Sequence, residues 1–230
     1  MYSPRRRGHS SHPGHPGRHR NHLFHEEWAY VLDFLPQGNP LDRHPQHRTR
    51  ALAQVIGDMY FTLLEVYPRP DQYLVIGERV YIGHGLRDKV AQIFGRISYE
   101  DLTTVARDNL GQIVYRIVLE KEPVFVKFFN IAEPVTLKLH SLELLPGIGK
   151  KSMRVILEER RKKPFESFKD IEERTRISDP AKIIADRIIL ELQGNEKYYL
   201  FVKPYIPEGK SHIIFLGYLV RIYRELGLIG

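Results

Sequence analysis

The chain has 230 residues, no cysteine, 42% apolar and 27% charged residues, and a formal charge of +7. That length carries one large or two small domains. A disulfide scaffold, a thiol nucleophile, a cysteine-ligated zinc site and an iron–sulfur centre are excluded, because each needs a cysteine sulfur.

No stretch reaches the roughly 20 apolar residues of a membrane-spanning helix. The longest run, Ile213 to Val220, is interrupted by Gly217 and followed by Arg221. After Arg5-Arg6-Arg7, the residues Gly8, Pro13, Gly14, Pro16 and Gly17 stand where a signal peptide needs an apolar region. The expectation is a cytoplasmic protein with no membrane partner. Residues 1 to 25 hold five arginines and no acid, which leaves only +2 on the rest. A nucleic-acid partner must therefore be argued from a local cluster rather than from overall charge.

Residues 1–25 are built from Arg, His, Gly, Pro and Ser and bury too little apolar surface to offset ordering entropy, which predicts a disordered basic tail. His9, His12, His15, His19, His22 and His25 recur every three or four residues. Such a repeat gathers a transition metal when a helix aligns it, but Pro13 and Pro16 prevent that helix. A basic arm near nucleic acid is a further use of the same segment.

From Glu26 to about Ile97 the apolar period is mostly two, with Gly, Pro and Asp clusters between the runs. Five strands are expected: Trp28 to Leu35, Ala51 to Ile56, Met59 to Tyr67, Gln72 to Ile82 and Lys89 to Ile97. Gly57-Asp58 and Pro68-Arg69-Pro70-Asp71 read as turns. A five-stranded barrel is the economical packing. The period then becomes helical: Ser98 and Asp101 form a capping box, followed by Leu102, Val105, Ala106, Leu110, Ile113, Val114 and Ile117. Val124 to Phe129 reads as a returning strand, and the domain junction is expected at Ala132 to Val135.

The second domain reads as helical, with segments Thr136 to Leu144, Lys150 to Lys162, Phe168 to Thr175 and Pro180 to Gln193. Ser167 with Asp170 supplies a second capping box. Asp179-Pro180 supplies an N-cap followed by Pro at the first helical position, and Gly194 a C-terminal stop. The organisation is thus α+β and multidomain: the tail at 1–25, an OB-like β-barrel with a flanking helix at 26–133, an all-α helix-hairpin-helix domain at 134–205, and an apolar C-terminal segment at 206–230.

The chemistry is concentrated in Leu142-Glu143-Leu144-Leu145-Pro146-Gly147-Ile148-Gly149-Lys150-Lys151-Ser152-Met153. Its order of apolar residue, Pro, Gly, apolar residue, Gly resembles the turn of a helix-hairpin-helix motif. Gly147 and Gly149 allow the backbone angles and close approach, Pro146 stiffens the entry, and Leu145 and Ile148 point into the core. The first amides of the next helix then form a nest of donors at the positive end of the helix dipole. Lys150 and Lys151 add charge there, and Arg154 lies one turn on. A monovalent cation on the hairpin carbonyls is compatible with such motifs; no other cofactor is expected.

Arg176-Ile177-Ser178-Asp179-Pro180-Ala181 stands where a second hairpin belongs, but it lacks glycines and carries a carboxylate at the phosphate position, so it reads as structural. Pro164-Phe165-Glu166-Ser167-Phe168 reads as the connector between hairpins with its aromatics in the core. The Arg160-Arg161-Lys162-Lys163 run serves either nucleic acid or the helix dipole. In the first domain, Val75 to Gly83 looks like a barrel segment of an OB-fold, a fold that stacks single-stranded bases on aromatics. Candidates for that surface are Tyr60, Tyr73 and Tyr81.

The order of barrel, helix and helix-hairpin-helix resembles an uncharacterised, mostly archaeal conserved family of nucleotide- or RNA-binding character, over about residues 26 to 205. The resemblance is carried by Gly77-Glu78-Arg79-Val80-Tyr81-Ile82-Gly83, Phe128-Phe129-Asn130, His140 to Lys151 and Glu166-Ser167-Phe168. It implies an archaeal source and transfers no activity.

Together these readings predict a non-catalytic, sequence-independent nucleic-acid-binding protein, with RNA favoured over DNA and a ribosome or other ribonucleoprotein as the setting. The alternative is a protein-interaction module using the helical domain and the C-terminal segment. An enzyme is not expected: metal-dependent phosphodiester chemistry needs a compact acidic cluster, which the sequence does not show, and His84 and His140 stand isolated.

Overall fold

The structure is a computed structural model and describes residues 24–40, 45, 48–205 and 212–229. The expected tail therefore lies outside the described residues except for Phe24 and His25. Five strands, β1 (Trp28–Leu35), β2 (Leu52–Gly57), β3 (Leu63–Pro68), β4 (Arg79–Tyr81) and β5 (Val90–Arg96), form one antiparallel sheet in the order β4-β1-β2-β3-β5. The register slips in β1 between Val31 and Asp33, and twice along the β3–β5 pair. Each slip adds twist, and the sheet curls into a half-barrel whose outer strands are β4 and β5.

The period of two is visible in how β1 divides its side chains. Ala29 and Val31 join Leu74, Val80, Ile82 and Val90 inside the curl, whereas Tyr30 and Leu32 face the helices. Across the helical face runs a buried polar row, Asp33, Gln54 and Glu65. It fixes the first long helix: Gln54 donates to Glu65 (3.0 Å) and accepts from the Thr103 amide (2.8 Å), and Thr103 Oγ1 donates to Asp33 (2.7 Å).

Several expectations are corrected. The expected strand Gln72 to Ile82 shrinks to Arg79–Tyr81, because Asp71 and Gly77 hold positive φ and break the extended backbone. Ser98 and Asp101 box a 3-10 turn, Tyr99–Asp101, and not the long helix. That helix, α1 (Thr104–Glu120), is capped by Thr103, whose hydroxyl accepts the Ala106 amide at 3.0 Å. Val124 to Phe129 is not a strand but part of α2 (Glu122–Ile131), with Pro123 in its first turn and Phe125, Phe128 and Phe129 buried. Short apolar runs of Val and Phe fit either structure, and here packing decided.

The expected helix Thr136 to Leu144 is instead a hairpin, β6 (Pro134–Thr136) and β7 (Leu139–His140), followed by a 3-10 turn, Ser141–Leu144. Thr136 Oγ1 accepts the Leu139 amide (3.1 Å), and the Glu133 carbonyl takes both the Ser141 amide and hydroxyl. These bonds hold the chain in a turn that a helix cannot satisfy. By contrast α3 (Lys150–Lys162), α4 (Phe168–Thr175) and α5 (Pro180–Gln193) have the expected bounds. Ser167 caps α4, Asp179 caps α5, and Gly194 ends α5 at φ 81°.

Beyond α5, β8 (Tyr198–Tyr199) pairs in parallel with β9 (Ile214–Phe215), and α6 (Tyr218–Glu225) packs against α2. The apolar face of α6, Tyr218, Leu219, Ile222 and Tyr223, is buried in the protein's own core, so the C-terminal segment does not offer that face to a partner. The larger core cluster draws on residues from Tyr30 to Tyr223 and includes Ala132. No helix among the described residues is long and apolar enough to cross a membrane.

Candidate functional site

The loop from Leu145 to Lys151 is built from its base outward. His140 accepts the Leu142 amide on Nδ1 (3.2 Å), and Glu143 accepts the His140 amide (2.9 Å), so the 3-10 turn is capped at its start. Burial first, and then the positive charge of Arg160, hold His140 below the usual imidazole range, which suits an unprotonated accepting nitrogen. The Ile148 amide next bonds the Leu145 carbonyl at 3.1 Å. Pro146 stands second in this four-residue turn and Gly147 third at φ 77°, the arrangement of a type II turn. Leu145 and Ile148 are buried, as expected from their apolar character.

Gly149 is the N-cap of α3, at φ −89° and ψ 179°, without a capping side chain and with no acid in the first turn. The Met153 amide is the first to find a partner, the Gly149 carbonyl at 2.9 Å. The amides of Gly149, Lys150, Lys151 and Ser152 have no acceptor among the described residues. Lys150, Lys151 and Arg154 are exposed, and none has a carboxylate within ion-pair distance among the described residues. Four donors and three cations thus meet at one end of a 13-residue helix.

One detail departs from expectation. The turn is not crowded: a Cβ at Gly147 or at Gly149 meets nothing within 4 Å. Gly147 is required by its positive φ. Gly149 has neither a positive φ nor a neighbour to avoid, and open space lies where its side chain would stand. The first limb of the hairpin also differs, being a four-residue 3-10 turn rather than an α-helix.

The second turn is closed by carboxylates. Asp179 accepts the Lys182 amide (2.9 Å) and the Tyr115 hydroxyl (3.2 Å), while Glu172 accepts the Asp179 amide (2.8 Å). Arg176 and Asp179 hold left-handed backbone there, which the sequence does not signal because neither is glycine. In the basic run, Arg160 Nη1 donates to the carbonyls of Phe129 (3.0 Å) and Ala132 (2.9 Å) at the end of α2. Lys162 pairs with Glu159 and Lys163 with Glu166. Phe165 and Phe168 are core residues.

Of the three sheet tyrosines, Tyr60 is no surface residue: it is 3% exposed, between Phe24 and Tyr223. Its side chain falls on the helical face of the curl, where α6 covers it. Tyr81 is half-buried edge-on to Trp28, and its hydroxyl accepts the Gly85 amide at 3.2 Å. Tyr73 alone stands in solvent, 70% exposed and edge-on to Phe34. Arg50 and Arg69 line one groove with Tyr73, and Arg87 lies beside Arg69 in an adjoining depression; none of the three stands out in the sequence, where only Arg69 falls in a stretch that reads as a turn. Of the isolated histidines, His84 stacks on His25 with centroids 4.2 Å apart. The His9 to His22 repeat lies outside the described residues.

The model of the family described as "Protein of unknown function (DUF655)" matches residues 25–203. The uncharacterized protein MJ0038 of Methanocaldococcus jannaschii is 47% identical over 180 residues, covering 77% of this chain and 80% of that protein. The crystal structure of Af1531 from Archaeoglobus fulgidus superposes with a TM-score of 0.71 at 48% identity, covering 77% of this chain and 100% of that one. Both relatives are archaeal.

Proposed function

The chain belongs to the DUF655 family, and from that premise we propose that it is a non-catalytic nucleic-acid-binding protein that grips the phosphate backbone with the loop Leu145 to Lys151. The carrying observation is the open space over Gly149 beside four unengaged amides and the cations Lys150, Lys151 and Arg154. A phosphate at that point accepts from the amides at the positive end of α3 and neutralises the lysines. Such a grip reads charge and spacing, not bases, so binding is independent of sequence and sensitive to salt.

In this reading the 3-10 turn, α3, α4 and α5 make a helix-hairpin-helix pair in which the first turn binds and the second, closed by Asp179, braces. The curled sheet is an OB-like barrel left open between β4 and β5, and it offers the second surface. RNA is favoured over DNA because the arginines at positions 5–7, 18 and 20 give the chain a basic arm of the kind that accompanies ribonucleoprotein assembly.

The test is fluorescence anisotropy of the full chain against matched single-stranded and duplex RNA and DNA over a salt series. Lys150→Glu with Lys151→Glu should weaken binding to every sequence alike and flatten the plot of log affinity against log salt by about two contacts. Unchanged affinity and slope in that variant overturns the reading.

A further inference from the structure

At the open mouth of the half-barrel, where β1 ends and β2 begins, lies a groove of about 490 Å³. That is the size of an ordinary ligand cleft, roughly 300–1,000 Å³. Its lining brings the aromatics Phe34 and Tyr73 together with the arginines Arg50 and Arg69 among prolines and alanines, with Asp71 as its one carboxylate. A shallower depression next to it shares Arg69 and adds Arg87.

The arginines are held in place by bonds that leave their ends available. Arg69 donates its Nε to the Arg87 carbonyl at 2.7 Å, and Arg87 donates its Nε to the Gly83 carbonyl at 2.8 Å. Arg50 lies over the Tyr67 ring, 3.8 Å from its centroid. None of the three has a carboxylate within ion-pair distance among the described residues. The terminal nitrogens of Arg69 and Arg87 likewise have no acceptor among them. A guanidinium fixed by its Nε or its face and open at its fork has already lost the freedom that binding an anion would otherwise cost.

Beside these forks, Tyr73 presents a ring that is 70% exposed and braced edge-on by Phe34 at 5.0 Å. Large apolar rings do not stay in water without cost. An acidic peptide would satisfy the arginines but leave the ring bare. A duplex would reach the forks with its phosphates, but its bases are stacked inside. An unpaired strand supplies both a free base and a phosphate.

We propose that this mouth is a binding site for single-stranded nucleic acid, in which a base stacks on Tyr73 and the neighbouring phosphates lie on Arg50, Arg69 and Arg87. The proposal rests on the nucleic-acid reading above but on a separate surface, and it assigns the unpaired strand, not the duplex, as the ligand class.

The test is anisotropy of the full chain with a labelled oligouridylate, an oligothymidylate and a blunt duplex of matched length. Tyr73→Ala should lower affinity for both single strands about tenfold and leave the duplex unchanged, with Tyr73→Phe restoring binding. Because Tyr73 is exposed, its variants fold, and thermal unfolding of each confirms it. Arg50→Gln should flatten the salt dependence for the single strands by about one contact. Loss on Tyr73→Ala with binding retained in Lys150→Glu/Lys151→Glu supports this site and removes the loop. Loss in the lysine variant with Tyr73→Ala unchanged overturns this site and keeps the loop. Equal losses for duplex and single strands on Tyr73→Ala, or no binding of any of the three by the unaltered chain, also overturn it.

Discussion

Arg187 and Glu191, one turn apart on α5, form a 2.9 Å ion pair that is almost wholly removed from water, with side chains 3% and 0% exposed. Glu191 also accepts the amides of Leu200 (2.6 Å), Phe201 (2.9 Å) and Val202 (2.8 Å). Arg187 donates to Glu196 (2.7 Å), to the Tyr198 carbonyl and to the Leu144 carbonyl (3.1 Å), the last residue before the candidate loop. The pair therefore holds the loop's base and the chain after α5 to one helix.

Removing one partner leaves the other charged and buried, which costs about 3–5 kcal/mol. Glu191→Ala should lower the unfolding free energy by that much, seen in urea as a lower midpoint without a change in slope. The double substitution Arg187→Met with Glu191→Leu should cost less than Glu191→Ala alone, because the one charge that it leaves without its partner, Glu196, is 30% exposed and solvated, whereas Glu191→Ala leaves the buried Arg187 without its nearest carboxylate.

Glu26 is enclosed beneath the β2–β3 turn and accepts the amides of Met59 (2.9 Å), Tyr60 (3.0 Å) and Thr62 (3.1 Å). Burial outweighs these bonds and pushes its carboxyl up to about 7 from 4.5. The folded chain thus keeps a proton that the unfolded chain releases near 4.5. Stability from this group is complete below that pH and is lost as pH rises to about 7, by about 3 kcal/mol at most. Chemical unfolding across this window should show the decline, and Glu26→Gln should abolish it; a flat profile in the unaltered chain counts against the assignment.

The same carboxylate explains Gly57. A Cβ there would sit 2.0 Å from Glu26 Cδ. Gly57→Ala must expel the carboxylate from its three amides, a loss of about 3 kcal/mol or more in the unfolding free energy. In a Glu26→Ala background the same substitution should cost much less, and a double-mutant cycle measures the difference.

The two loop glycines should separate stability from binding. Gly147→Ala forces a side chain into the left-handed region and should cost about 1–2 kcal/mol. Gly149→Ala meets no clash and should cost under about 1 kcal/mol. If the space above Gly149 belongs to a phosphate, oligonucleotide affinity falls in Gly149→Ala while the melting temperature stays close to that of the unaltered chain.

The sequence was most legible where one residue type has one job. Asp179-Pro180, Ser167 and Gly194 mark helix ends, and α3, α4 and α5 start and stop where those signals stand. Gly147 likewise declared its turn. Legibility failed where packing chose between local options, as with the Val and Phe run that became α2. It failed again where a side chain holds an irregular backbone, as Thr136 does in the β6–β7 hairpin. The arginines around Tyr73 were hidden for a third reason. They come from three separate segments between strands, and nothing along the chain says that those segments will meet.

The docking of α6 sets a timetable for synthesis. Tyr223 donates its hydroxyl to the Met59 carbonyl at 2.8 Å and packs edge-on against Tyr60, closing the core over the first strands. A ribosome adding about 5–20 residues per second takes roughly 8–30 s to travel from residue 60 to residue 223. Through that interval α1 and α2 already stand ready to cover Tyr30 and Leu32, while the patch around Met59 and Tyr60 waits for α6 to close it.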